Sequence, residues 1–216
     1  MKIAILLYEG FTALDAIGPY EVLSRLPGAE LAFVASRAGI VTSDTGFLGI
    51  EATAAVADVE AADLVLVPGG PGDVNVQRHT ATLEWLRRIH ERTTWTTSVC
   101  TGALILAAAG LLRGRRATTH WASLEVLREY GAEPVKARSV ESGKIVTAAG
   151  VSAGIDMALR LAQRIVGDDF ARAVQLGIEY DPDPPFDAGS PEKVAPEIVE
   201  MVRAFGAGGR AAGSRA

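Results

Sequence analysis

Cys100 is the single cysteine of the chain. It stands in Trp95-Thr96-Thr97-Ser98-Val99-Cys100-Thr101-Gly102-Ala103, where a β-rich run stops, a nucleophilic side chain appears, and a small-residue helical pattern begins at once. A sharp strand-to-helix turn of that kind displays its nucleophile, and small neighbours such as Gly102 and Ala103 let the turn pack. The helix N-terminus brings backbone N–H groups and a partial positive charge to the sulfur. The sequence therefore predicts a lowered thiol pKa and an available thiolate. The other reading is a small buried hydrophobe, the commoner fate of a free cysteine. Position at a strand end favours the reactive one.

Several residues are candidates to serve that thiolate. Pro68-Gly69-Gly70-Pro71-Gly72 follows a buried apolar run. Gly69 and Gly70 let the backbone approach a ligand and point N–H groups at it, as an oxyanion-binding site requires. Alone, the same residues read as a tight turn. Their spacing is too short and too proline-rich for a phosphate-binding loop or a dinucleotide fingerprint. Asp15 opens the first helical pattern, either as its N-cap or as a carboxyl that holds and delivers a proton, and the two roles are compatible. Burial and a like-charged neighbour would raise its pKa. His79 and His90 lie in or beside an Arg-rich polar helix face and read as solvated. His120, in Thr118-Thr119-His120-Trp121, ends a strand and is the histidine able to reach the cysteine region, since Cys–His pairs are a common activated nucleophile. Gly150 and Val151 join a strand to a helix on the same edge and are candidates for the layer around the nucleophile.

Alternating elements must position these residues. Residues 2–7, 30–36, 63–67 and 94–99 read as buried strands, and 117–119 as a short one. Residues 40–53 suggest a hairpin, and 134–148 two or three short strands turning at Ser142-Gly143. Helical patterns cover about 15–26, 80–92, 102–112, 123–130, 152–166 and 168–179, the last capped by Asp168. A further helix starts at Ser190-Pro191-Glu192 and runs to about Phe205. The Gly/Ala/Arg-rich stretch 206–216 reads as a disordered tail. Strands alternating with helices predict one α/β domain over 1–205: a mostly parallel central sheet sandwiched by helices, flavodoxin-like, with the cysteine at a nucleophile elbow. In such folds function gathers at the carboxyl ends of the strands.

Composition bounds the answer further. Of 216 residues, 49% are hydrophobic and 22% charged, which excludes wholesale disorder. With 21 Lys and Arg against 26 Asp and Glu, the net charge of −5 makes a poor general nucleic-acid binder. One cysteine excludes an intrachain disulfide and a multi-cysteine zinc site. The longest apolar run, 103–112, is too short to span a membrane. The opening Met-Lys-Ile-Ala-Ile-Leu-Leu meets Tyr8 and Glu9 too soon for a signal peptide, so a cytoplasmic protein is expected.

The elbow, Pro68-Gly69-Gly70 and the order of elements resemble the PfpI-like superfamily, related to class I glutamine amidotransferases, over residues 1 to about 205. Within it, six stretches are similar to the isonitrile hydratase family: Tyr8-Glu9-Gly10-Phe11-Thr12-Ala13-Leu14-Asp15, Pro68-Gly69-Gly70, Cys100-Thr101-Gly102, Ala117-Thr118-Thr119-His120-Trp121, Gly150-Val151-Ser152-Ala153-Gly154-Ile155-Asp156 and Gln175-Leu176-Gly177-Ile178-Glu179-Tyr180-Asp181-Pro182. The resemblance implies Cys100 as nucleophile with Asp15 and Thr101 as its partners. It implies hydration of an isonitrile to the N-substituted formamide through a thioimidate, with Asp15 protonated in the resting site. It also implies a homodimer and no metal or organic cofactor. Two departures narrow it. No histidine follows His120, so the amidotransferase triad, which needs a late His and Glu, is absent. Thr101 follows the cysteine where PfpI-like peptidases carry a histidine. Related regulators add a C-terminal helix-turn-helix, for which 216 residues are expected to leave no room. A sensor that uses Cys100 to detect oxidants or hold an amide-like ligand, or an enzyme acting on reactive carbonyls or amides, are the alternatives.

Overall fold

The computed structural model describes residues 1–213, with side chains through residue 205. In chain order the strands are β1 (Lys2–Leu6), β2 (Glu30–Ala35), β3 (Gly39–Thr42), β4 (Gly49–Ala52), β5 (Ala54–Ala55), β6 (Leu64–Val67), β7 (Trp95–Val99), β8 (Arg116–Ala117), β9 (Glu133–Pro134), β10 (Ser139–Ser142) and β11 (Ile145–Ala148). The helices are α1 (Ala13–Leu23), α2 (Asp73–Val76), α3 (Thr80–Arg92), α4 (Gly102–Ala108), α5 (Val126–Glu129), α6 (Ala153–Val166), α7 (Asp168–Gly177) and α8 (Pro196–Gly213). Seven strands form the central sheet in the order β10-β11-β7-β6-β1-β2-β5. Its pairings are parallel except the β10–β11 edge, which is antiparallel. The predicted hairpin is β3–β4.

The apolar runs are continuous because the sheet is buried on both faces. Successive side chains of a strand point to opposite sides. Ile3 and Ile5 of β1 thus join one core while Ala4 and Leu6 join the other, and β6 splits the same way at Leu64 and Leu66 against Val65 and Val67. The first core is closed by α1, α6 and α7 through Val22, Met157, Leu161 and Val174. The second is closed by α3 and α4 through Leu83, Leu86, Ile89 and Leu104. Each fully buried side chain of this size contributes roughly 1.5–3 kcal/mol. Sandwiching the sheet leaves its strand ends as the places where loops from separate segments meet.

Several expected boundaries shift for local reasons. The N-cap position of α1 is Thr12, and Asp15 lies inside the first turn, fully buried, so it does not cap the helix. Gly167, at φ +93°, occupies the cap position of α7 that Asp168 was expected to fill. The helix expected over 123–130 is a 3-10 turn, Trp121–Ser123, followed by α5. The α4 helix ends at Ala108, earlier than the apolar run suggests. The helix expected from Ser190 is a 3-10 turn, Pro191–Lys193, and α8 begins afresh at Pro196, whose ring disfavours helical backbone at the residue before it. The α8 backbone then continues to Gly213 instead of ending near Phe205, and residues 214–216 of the expected tail lie outside the described residues. Among the described residues no helix is long and apolar enough to cross a membrane.

Candidate active site

Cys100 follows β7 and precedes α4 with φ +56°, in the left-handed region that a residue with a side chain seldom adopts. Such a conformation persists only where neighbouring contacts over-determine it. Here its N–H donates to the carbonyls of Ala148 (3.1 Å) and Ala149 (3.0 Å) at the end of β11, and Thr119 Oγ1 donates to its carbonyl at 2.7 Å. The N–H groups of Thr101 and Val151 serve the sulfur. Val151 itself sits at φ +34°, so two strained residues from the ends of adjacent strands meet at the thiol. Val151, which the sequence suggests for the layer around Cys100, turns its N–H to the sulfur.

The fully buried Asp15 comes from the opposite side, on the first turn of α1. Its Oδ2 accepts the Gly69 N–H at 2.9 Å, while Thr101 Oγ1 accepts the Gly70 N–H at 3.0 Å. The loop after β6 is drawn against α1 because Thr12 N–H donates to the Gly69 carbonyl at 2.8 Å. A Cβ on Gly69 would come within 2.5 Å of Thr101 N and 2.9 Å of Asp15 Oδ2, so only glycine lets the loop seat against both. The sequence suggests that Gly69 and Gly70 bind an oxyanion. In the structure their N–H groups are engaged inside the protein, and the two glycines hold Asp15 and Thr101 in place.

Burial pushes the Asp15 carboxyl up to about 7, against the lowering effect of the Gly69 N–H and the Cys100 sulfhydryl, with the nearby Asp44 charge raising it further. Asp15 Oδ1 has no hydrogen-bond partner among the described residues, and the Cys100 sulfhydryl is near enough to the carboxyl to lower its pKa. The Cys100 thiol is pushed well above its ordinary range. Burial is the largest cause, followed by the Asp15 charge, while the N–H groups of Thr101 and Val151 oppose them and Asp73 adds to the rise. This reverses the lowered thiol pKa expected at a helix N-terminus. The N–H groups are there, but a desolvated sulfur beside a carboxylate loses more than they supply. Cys100 and Asp15 therefore titrate as a pair that retains one proton above about pH 7.

A cleft of about 460 Å³ lies beside the elbow, lined by neighbours of Cys100. Its inner wall includes Thr119, Ala149 and Val151, whose backbone or hydroxyl groups brace Cys100. His120 lines the same cleft, resting on Gly150 so closely that a Cβ there would lie 2.7 Å from its Cδ2. The His120 Nδ1 accepts the Ala122 N–H at 3.3 Å, and its ring lies 5.4 Å from that of Trp121. Two residues near the pair escape the sequence reading. Tyr8 hydroxyl donates to the Pro68 carbonyl at 2.9 Å and braces the loop that positions Asp15. Asp73, fully buried at the start of α2, raises both the Tyr8 hydroxyl and the Cys100 thiol. An acid directly after Pro-Gly-Gly-Pro-Gly at a strand end is the signal that could have found it.

The DJ-1/PfpI family model matches residues 1–164. The chain is 44% identical over 203 residues to isonitrile hydratase of Pseudomonas putida, covering 94% of this chain and 89% of that one. Among solved structures it is similar to a THiJ/PfpI family protein from Pseudomonas syringae, with TM-score 0.91 and 37% identity over 98% of this chain and 90% of that one. A DJ-1 superfamily protein from Salmonella typhimurium matches with TM-score 0.74 and 27% identity over 84% of this chain and 99% of that one. The family match spans the parallel sheet, the cysteine elbow after β7 and the loop that holds Asp15. The chain belongs to the DJ-1/PfpI family.

Proposed function

We propose that this protein hydrates isonitriles, R–N≡C, to N-substituted formamides, with Cys100 as nucleophile and Asp15 as proton carrier. The observation that carries the reading is a buried carboxyl, held through Oδ2 on the Gly69 N–H, beside the single thiol of the chain. The 44% identity to a curated isonitrile hydratase gives the substrate class.

The shared proton drives the first half of the reaction. Asp15 carboxylate takes it from the thiol as sulfur adds to the isonitrile carbon, then delivers it to that carbon: R–N≡C plus HS–Cys gives R–N=CH–S–Cys, a thioimidate. In the second half Asp15 takes a proton from water as the water oxygen attacks the same carbon, and gives it to nitrogen. The adduct R–NH–CH(OH)–S–Cys collapses, its hydroxyl proton returning through Asp15 to the sulfur, and R–NH–CHO leaves. One water is added, and the pair ends with the proton it began with. The N–H groups of Thr101 and Val151 stabilise the sulfur while it carries charge. Thr101, held by the Gly70 N–H, fixes the elbow against the Asp15 loop. Superfamily resemblance further supports a homodimer.

The test is formamide production from a small isonitrile panel, followed by mass spectrometry. Cys100→Ala should lower kcat/KM by at least about a thousandfold while the melting profile stays close to wild type. An adduct of substrate mass on Cys100 should appear on rapid quenching. Residual activity within tenfold of wild type would remove covalent catalysis, and failure of every isonitrile to turn over would remove the function.

A further inference from the structure

Turnover by the Cys100–Asp15 pair depends on where the carboxyl sits and how firmly it keeps its proton, and the β3–β4 hairpin bears on both. Residues 9–12, which lead into α1, are clamped between two segments. On one side is the glycine loop. The Gly72 N–H donates to the Gly10 carbonyl at 3.2 Å, and a Cβ on Gly70 would lie 2.5 Å from Thr12 N. On the other side the end of β3 runs alongside, with Phe11 and Ser43 paired as a parallel bridge. The Gly10 N–H donates to the Thr42 carbonyl and the Asp44 N–H to the Phe11 carbonyl, both at 2.9 Å, while Glu9 Oε2 accepts the Thr42 N–H at 3.1 Å. Thr12 closes the clamp. It stands at the N-cap position of α1, but its hydroxyl makes no cap bond and donates instead to Asp44 Oδ2 at 2.7 Å. Its N–H goes to the carbonyl of Gly69, the residue whose own N–H holds Asp15. One residue thus joins the hairpin, the glycine loop and the turn that bears the carboxyl. The titratable groups around Asp15 are the Cys100 thiol, the Tyr8 hydroxyl and the Asp44 carboxyl, with Asp73 acting on the first two. The α6 helix presents Ile155 to Gly18 of α1, and its Asp156 is bound by Arg138 and Tyr180. Asp44 is the solvent-exposed member of this set.

We infer that Asp44 is a positioning residue for Asp15: through Thr12 it fixes the first turn of α1 against the glycine loop, and its charge holds the shared proton on the Cys100–Asp15 pair. A nearby like charge disfavours ionisation of a carboxyl. Because Asp44 faces solvent, dissolved ions screen it, so salt tunes how tightly the pair keeps its proton. The effect on turnover rests on the hydratase reading, whereas the effect on the proton can be read without substrate.

The experiment titrates the Asp15 carboxyl by carbon NMR with labelled aspartate, and measures kcat and KM against pH for an isonitrile, in wild type, Asp44→Asn, Thr12→Val and Thr12→Ser. Asp44→Asn keeps an acceptor for the Thr12 hydroxyl and removes the charge. At low salt the Asp15 midpoint should fall from about 7 by roughly half a pH unit or more. The acid limb of kcat/KM should move with it, giving about threefold more of the plateau activity at pH 6. Raising NaCl from about 0.01 M to about 1 M should lower the wild-type midpoint in the same direction, and should do less in Asp44→Asn. Thr12→Val should lower the plateau kcat by about tenfold with KM within about twofold, because the carboxyl loses its registration, and Thr12→Ser should restore it. If Asp44→Asn fails to fold, the wild-type salt titration and the Thr12 variants decide. A midpoint that neither Asp44→Asn nor salt moves, or a Thr12→Val kcat within about twofold of wild type, overturns the inference and leaves the hydratase reading intact. Failure of wild type to turn over any isonitrile overturns that reading, and the NMR midpoints then decide the role of Asp44 alone.

Discussion

The two ends of β7 carry buried polar clusters built on opposite lines. At its start, Thr96 Oγ1 meets His90 Nδ1 at 2.7 Å and Thr93 Oγ1 at 2.8 Å. Lys144 Nζ completes the cluster by donating to the His90 carbonyl and, at 3.0 Å, to that of Thr93. Burial, and then the Lys144 and Arg115 cations, hold the His90 pKa below its usual range, so a neutral imidazole serves the network. At its other end, Asp15 Oδ1 lacks a bond of ordinary geometry, Cys100 and Val151 sit at positive φ, and both acid groups of the pair are pushed up by burial. A satisfied buried network rigidifies a fold. Unfilled capacity and strain persist where a third group is to be received. The Cys100 end of β7 is marked by what its polar atoms leave undone, while the Thr96 end is marked by completeness.

The sharpest way to break that contrast is to fill the vacant carboxyl chemistry at Asp15. Asp15→Asn keeps the shape and cannot carry a proton, so kcat/KM should fall by at least about a hundredfold. In wild type the pair must drop to one proton before the thiol can be deprotonated by Asp15. Activity should therefore rise about tenfold per pH unit toward pH 7 and level off above it, following the Asp15 value of about 7. A profile that falls through pH 7 would mean that the doubly protonated pair is the active form. Stability should move the other way. The folded Asp15 binds its proton more tightly than the ordinary 3.8, so between about pH 4 and 7 the folded state holds more protons than the unfolded one. Wild-type stability then falls as pH rises through that window, by up to about 4 kcal/mol. Asp15→Asn should lack this slope and be the more stable protein at pH 8, as denaturant melts at pH 5 and pH 8 will report.

The complementary cut is at the structural end. Thr96→Val removes the hydroxyl shared by His90 and Thr93, leaving His90 Nδ1 unmatched while Thr93 keeps its bond to the His90 carbonyl. Destabilisation of about 1–3 kcal/mol is expected, with kcat/KM within about twofold of wild type. Loss of activity without loss of stability would show that the two ends of β7 are not independent.

How much of this was legible in the sequence follows from what each feature depends on. The parallel sheet was readable because a doubly buried strand has to be apolar throughout, as 3–6 and 64–67 are. The elbow was readable because chain-adjacent residues make it: Cys100, Thr101 and Gly102 need no distant partner to announce a strand-to-helix turn. Features built by distant residues were not. His90 reads as solvated on an Arg-rich helix, yet its ring reaches Thr96 across the turn into β7. Asp15 reads equally as a cap or a proton carrier, and only the packing of the 68–72 loop against α1 settles that it is buried and pinned by Gly69. The thiol pKa went the wrong way for the same reason. A helix N-terminus is local and visible, whereas desolvation by α1 and the strand ends is a tertiary quantity.

The smallest effect belongs to Ser98, two residues before Cys100. It is fully buried in β7, and its Oγ has no hydrogen-bond partner among the described residues. Position between the two clusters makes it the residue whose allegiance is least plain. If it is a packing residue, its hydroxyl is only a desolvated polar group, and Ser98→Ala should be neutral or stabilising by about 1–2 kcal/mol. Turnover should then stay within about twofold of wild type, because Val67 and Thr147 flank it in the sheet and no strand register depends on the hydroxyl. If instead the unfilled oxygen belongs with the unfilled carboxyl at Asp15, its removal should lower kcat while leaving the melt unchanged. Paired urea melts and kcat measurements on Ser98→Ala separate the two outcomes. A stability gain with intact kcat would draw the boundary of the reactive end between Ser98 and Cys100.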